Sequence, residues 1–120
     1  MNLPRFDQSR ILVFGDAMLD RYWHGSTSRI SPEAPIPVVD VSGIEDRLGG
    51  AANVALNVAA LGGTAALVAA IGADEAGAAL HAKLESANIG DGLVTVSNRP
   101  TSLKVRIVSQ KQQLVRADFE

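Results

Sequence analysis

Short apolar runs that close on glycine alternate along this chain with alanine-rich and polar stretches, and the period of the pattern changes from one to the next. Arg10-Ile11-Leu12-Val13-Phe14-Gly15 is a continuous apolar run ending in Gly-Asp, which predicts a strand buried on both faces, as in a parallel sheet. Ala65-Ala66-Leu67-Val68-Ala69-Ala70-Ile71-Gly72 repeats the pattern. An alanine-rich helix entered through Gly49-Gly50 lies between them, so the unit is a β–α–β crossover of the right-handed type. Asp74 is placed to cap a second helix running to about Ala87, with Leu80, Leu84 and Ala87 on one face and His81 and Glu85 on the other; Asn88 and Gly90 would end it. Together these elements predict an α/β fold built on a doubly wound sheet.

Two further regions read as strands outside that unit. Pro32, Pro35 and Pro37 exclude a helix before Val38-Val39-Asp40-Val41. With the polar, aromatic-studded Tyr22 to Arg29, they predict an extended, edge-like segment. Gly92 to Val96 is rich in β-formers, and in Leu103 to Val108 the cations Lys104 and Arg106 alternate with Leu103, Val105 and Ile107, so both cations share a face. Leu114 to Asp118 repeats the alternation after Gln110-Lys111-Gln112-Gln113, as the returning strand of a hairpin would.

Composition narrows the classes. The 120 residues suit one domain, 1–120, with 47% hydrophobic and 20% charged positions. A net charge of −2 gives no basic face for nucleic acid. The absence of cysteine excludes disulfides, thiolate metal sites and thiol nucleophiles, and accords with a cytoplasmic location. Met1 to Asp7 lacks the apolar core of a leader. Leu48 to Ala73 carries no charge, but Asn53, Asn57 and the Gly62-Gly63 break argue against a membrane span.

Candidate chemistry gathers at Leu48-Gly49-Gly50-Ala51-Ala52-Asn53-Val54-Ala55-Leu56-Asn57. Adjacent glycines let the backbone turn sharply and let another molecule approach it, and the helix behind them begins with unpaired N–H groups. Asn53 and Asn57 share a helical face and could bond hydroxyls; a tight turn before a closely packed helix is the plainer alternative. Asp16 and Asp20 follow the first strand, where open α/β sheets collect ligands, although an aspartate there also caps turns. Lys104 and Arg106 read equally well as a solvated face that discourages aggregation.

The spaced pattern Gly49-Gly50-Ala51-x-Asn53-x-Ala55, then Gly62 and Gly72, resembles the first signature of the ribokinase (pfkB) family of sugar kinases. Three flanks extend the resemblance over nearly the whole chain: Gly15-Asp16-x-x-Leu19-Asp20-x-Tyr22, Arg29-Ile30-Ser31-Pro32-Glu33-Ala34-Pro35 and Arg116-x-Asp118-Phe119-Glu120. Within the family they are most similar to members that phosphorylate D-glycero-D-manno-heptose 7-phosphate at the anomeric oxygen in lipopolysaccharide precursor synthesis. The resemblance implies a ribokinase-like fold with a small β-lid, here about 22–42 and 102–119, through which many members dimerise. It implies ATP and Mg2+ as the phosphoryl donor, Asp20 on the sugar hydroxyls beside Asp16, Gly49, Gly50 and Asn53, and Lys104, Arg106 or Arg116 on the substrate phosphate. The family's catalytic aspartate sits in a Gly-Ala-Gly-Asp segment that this sequence lacks, as it lacks a Gly-x-x-x-x-Gly-Lys-Ser/Thr phosphate loop. The base and nucleotide site are therefore expected downstream of residue 120, and these residues alone are expected to be inactive. A ribokinase or fructokinase specificity, or a non-catalytic sugar-phosphate-binding or dimerisation module, is the alternative.

Overall fold

The computed structural model describes residues 2–120; Met1, the first residue of the segment read against a leader, lies outside them. Its elements in chain order are β1 (Arg10–Phe14), β2 (Ala17–Ile30), β3 (Pro37–Gly50), α1 (Ala51–Ala60), β4 (Thr64–Ile71), α2 (Glu75–Ser86), β5 (Gly90–Thr95), β6 (Leu103–Ser109) and β7 (Gln112–Phe119). They form a three-stranded parallel sheet in the order β1-β4-β5 and a four-stranded mixed sheet in the order β3-β2-β6-β7. No helix among the described residues is long and apolar enough to cross a membrane.

The parallel sheet carries the core on one side. Along β4 the alternate residues Ala65, Leu67, Ala69 and Ile71 are buried, as the period of a strand requires when one face is covered. The cover is α1, which brings the small residues Ala52 and Ala55 against the sheet, and α2, which brings Leu80 and Leu84. Strand order advances steadily from β1 through β4 to β5, so crossovers of one hand place both connecting helices on the same face.

The other face is open, and it corrects the expectation that β1 is buried on both sides. Leu12 and Phe14 pair with Ala66 and Val68, and the same row continues to Val94 on β5. Leu12 and Phe14 are 66% and 81% exposed. The strand is correctly placed, but β1 stands at the sheet edge with a helix on one side only.

The aromatic and proline-rich region also departs from expectation. Only its second half, Pro37 to Val41 on β3, is an edge: β2 runs unbroken from Ala17 to Ile30 and lies between β3, antiparallel, and β6, parallel. The edges of the sheet are β3 and β7. The loop holding Pro32 and Pro35 simply joins the two long strands. At the far end β6 and β7 form the expected antiparallel hairpin, turning on Gln110 and Lys111, both at positive φ. The roots of β2 and β3 belong to the main core, since Ala17, Leu19 and Leu48 are buried in the same cluster as α1 and β4. Beyond the roots the sheet projects as a flap.

Helix α2 is fixed at both ends. The Asp74 carboxylate accepts from the backbone N–H of Gly77 at 2.9 Å, and Asn88 takes the left-handed conformation just past the C-terminus. Asp74 also accepts from the backbone N–H and the hydroxyl of Thr101, at 2.8 and 2.6 Å. Thr101 is itself buried and accepts from the Gly72 N–H at 2.9 Å. One carboxylate thus joins the helix cap to the loop that enters β6.

Candidate functional site

Gly50 ends β3 and caps α1 with φ 59° and ψ −133°, a combination that essentially only glycine adopts. A Cβ there would lie 2.5 Å from the Asp16 carbonyl oxygen. That carbonyl accepts from the Ala51 N–H at 2.8 Å, and no side chain caps the helix. The first turn of α1 therefore keeps N–H groups facing the end of β3. Gly49 is needed for a different reason: a Cβ would come within 2.9 Å of Asp20 Oδ2 and 2.8 Å of Met18 Cγ. The glycine pair lets the Asp20 carboxylate lie directly against the backbone.

Asp20 reaches this position because β2 and β3 pair in a register that sets Met18 opposite Gly49 and Asp20 opposite Arg47. Asp20, Gly49, Gly50 and Asn53 line one open pocket of 440 Å3, with Asp46, Arg47, Leu48 and Leu56 and with Lys83 and Ser86 of α2. That volume suits a small polar ligand. Asp20 Oδ1 is buried and has no hydrogen-bond partner. Arg106 Nη1 approaches it to 3.0 Å but out of line for a hydrogen bond, so the contact is a charge pairing.

The remaining candidates are placed less directly. Asp16 is exposed and outside the pocket lining; its contribution is the backbone carbonyl at the α1 start. Asn57 shares the exposed side of α1 but does not line the pocket. Lys104 and Arg116 lie on the Asp20 face of the sheet, as the register of Asp20 with Lys104 and of Arg106 with Arg116 requires. Both are engaged: Lys104 with Asp118 at 3.2 Å and Glu120 at 3.1 Å, Arg116 with Asp118 at 2.9 Å. Arg106 alone of the three touches a pocket residue. It also lies over the Tyr22 ring, 5.4 Å from the centroid, while Arg47 covers the same ring at 4.5 Å.

Sequence reasoning missed Arg47, Tyr22 and a cluster on the opposite face. There Arg21 is held by Asp46 and Glu75; the hydrogen bonds it donates to Asp46, then to Glu75, raise its pKa above the ordinary arginine value. Arg21 has no signal in the sequence because the extended segment is expected to begin only at Tyr22, whereas β2 begins at Ala17. His24 is exposed, and His81 on α2 contacts Asp91 of β5.

A parallel α/β layer, a projecting β-flap and an open pocket at their junction, lined by glycine and carboxylate, make up the described residues. A profile of the pfkB family carbohydrate kinases matches residues 8–119, and the chain belongs to that family. It is 58% identical over its whole length to a bifunctional protein HldE of Azotobacter vinelandii and equally to one of Pseudomonas savastanoi pv. phaseolicola, covering 25% of each. Among solved structures, a ribokinase from Cryptococcus neoformans in complex with ADP superposes with a TM-score of 0.63 at 31% identity, over 92% of this chain and 34% of that one. A carbohydrate kinase from Agrobacterium tumefaciens gives a TM-score of 0.74 at 24% identity, over 92% and 35%. The chain thus spans about a quarter of the length of the curated relatives it matches.

Proposed function

We propose that these residues are the sugar-binding part of an ATP-dependent kinase that phosphorylates the anomeric hydroxyl of D-glycero-D-manno-heptose 7-phosphate, within the longer polypeptide its relatives possess. The observation that carries this reading is the single pocket in which Asp20, the Gly49-Gly50 backbone and Asn53 meet at the root of the flap. A carboxylate accepts from two vicinal hydroxyls, and an amide both donates and accepts. Together they fix a polyol by its hydroxyl pattern. Identity of 58% to HldE proteins supports heptose 7-phosphate over other sugars.

Catalysis of phosphoryl transfer rests on positioning and charge stabilisation. In this reading Asp20 and Asn53 orient the sugar, and the flap of β2, β3, β6 and β7 covers it, excluding the water that would otherwise compete for the phosphoryl group. Arg106, drawn toward Asp20, is the candidate nearest to the pocket for the substrate phosphate; Lys104 and Arg116 stand further along the same face. ATP is the donor. Mg2+ would accompany it, held largely by the nucleotide's phosphates; no three acidic or histidine side chains converge among the described residues.

The outer face of the flap suits a homodimer. Trp23, Pro37, Val39, Val41, Ile107 and Val115 line an apolar groove of 390 Å3 there, and the Trp23 indole N–H is buried without an acceptor. A second flap would cover the groove and could supply one. A cytoplasmic location belongs to the same reading and is supported by the likeness to HldE proteins.

The test is turnover by the full-length polypeptide with ATP and heptose 7-phosphate, ribose or fructose. A 1,7-bisphosphate formed with heptose 7-phosphate in clear preference is the expected result. Comparable rates on ribose or fructose would reject the substrate, and no transfer to any sugar would reject the kinase reading.

A further inference from the structure

Arg21 follows Asp20 on β2, so its side chain lies on the opposite face of the sheet. There one guanidinium makes four hydrogen bonds. Nε and Nη2 donate to the two oxygens of Asp46 at 2.7 and 3.0 Å, and Nη1 and Nη2 donate to the two oxygens of Glu75 at 3.0 and 2.8 Å. Asp46 is the cross-strand partner on β3, just before Leu48-Gly49-Gly50. Glu75 is the first residue of α2. Among the described residues this is the one ion pair that joins the four-stranded sheet to a helix.

We propose that Arg21 is a positioning residue: it clamps the root of the flap to α2 and so sets where Asp20 stands relative to Gly49-Gly50 and Asn53. The proposal rests on the sugar-binding reading of that pocket. Its physical ground is that Asp20 is held by its strand rather than by its own bonds, since Oδ1 has no hydrogen-bond partner and the Arg106 contact is out of line. Tolerances are narrow, because Asp20 Oδ2 lies against the Gly49 backbone with no room for a methyl group. A misplacement of about 1 Å is worth up to about a hundredfold in an oriented site. The planar fork of arginine can hold two carboxylates in fixed directions, which a lysine ammonium cannot. The two halves of the clamp differ: Arg21 and Asp46 are 15% and 21% exposed, Glu75 72%. The strand pair is the firm half and the helix contact the adjustable one.

A staple that merely stabilises would lower the folded fraction and leave the sugar KM alone. The clamp is therefore tested by steady-state kinetics on the full-length protein with sugar phosphate and ATP varied separately, alongside amide hydrogen exchange over 17–24 and 44–50. Arg21→Gln should raise the KM for heptose 7-phosphate about tenfold at unchanged KM for ATP, as loss of orientation predicts. Glu75→Gln, which keeps the Arg21–Asp46 pair, should raise it about threefold, the scale of an exposed ion pair, and Arg21→Lys should fall between the two. Exchange over both segments should quicken in Arg21→Gln and Glu75→Gln. A sugar KM within about twofold of the parent in both variants, against the ion-pair scale, would overturn the proposal; if Arg21→Gln does not fold, Glu75→Gln decides alone. If the parent protein phosphorylates no sugar, the kinase reading falls separately. The clamp is then judged by exchange in Glu75→Gln: quickening over 44–50 supports it, no change rejects it.

Discussion

Gly49 and Asp20 compete for the same space, and the backbone yields it to the carboxylate. Gly49→Ala should therefore push Asp20 out of place and raise the sugar KM while leaving the fold, which a melting curve and sugar kinetics would separate. Gly50→Ala is a different case. Its φ of 59° with ψ −133° strains any other residue, at a cost of about 1–3 kcal/mol, so a lowered melting temperature is the expected outcome. Asp74 carries a pH dependence. Burial raises its carboxyl, but hydrogen bonds from Thr101 and Gly77 outweigh that and hold it below the ordinary value. A group depressed in the folded state contributes stability above its unfolded value, about 3.9 for aspartate, and loses it as pH falls through the folded value. Urea unfolding from pH 6 down to pH 2 should show that loss, and Asp74→Asn should flatten it. Both kinds of residue had a local signature: Gly-Gly before an alanine run, and an aspartate ahead of a helix. Thr101 had none, because its role depends on a loop returning to a helix cap across the chain.

At the scale of elements, β1, β4, α2 and the β6–β7 hairpin were legible because each carries its own period and punctuation. The length of β2 was not. Ala17 and Leu19 are buried, but the adjacent polar residues Asp20 and Arg21 break the alternation, and they face a pocket and an ion-pair cluster that exist only once β3 and α2 are in place. Neighbouring strands on both sides also turned a supposed edge into an interior strand. The two faces of this flap differ in chemistry. One bears Asp20, Arg106, Lys104 and Arg116; the other bears Trp23, Val41, Ile107 and Val115, with Ile44 largely exposed beside them. If the apolar face is the subunit contact, Ile44→Glu should turn the dimer into a monomer by light scattering with the melting profile of the flap's root intact. A parent protein that is monomeric at micromolar concentration would count against that assembly.

For the whole molecule, the four-stranded sheet and the parallel sheet share one core through Ala17, Leu19 and Leu48. The pocket lies at that shared root, so its geometry depends on how flap and layer meet. Pattern alone could name Asp20, Gly49, Gly50 and Asn53 as candidates. It could not rank the cations, because which of them meets a pocket residue is decided by register: Arg106 reaches Asp20, whereas Lys104 and Arg116 are taken up by Asp118 and Glu120. The decisive measurement is the KM for heptose 7-phosphate in the full-length protein carrying Asp20→Asn or Asn53→Ala. The sugar KM should rise at least about tenfold in each, the scale of a lost charged or oriented hydrogen bond, while the KM for ATP stays unchanged. A sugar KM equal to that of the parent in both variants would contradict the placement of the sugar in this pocket.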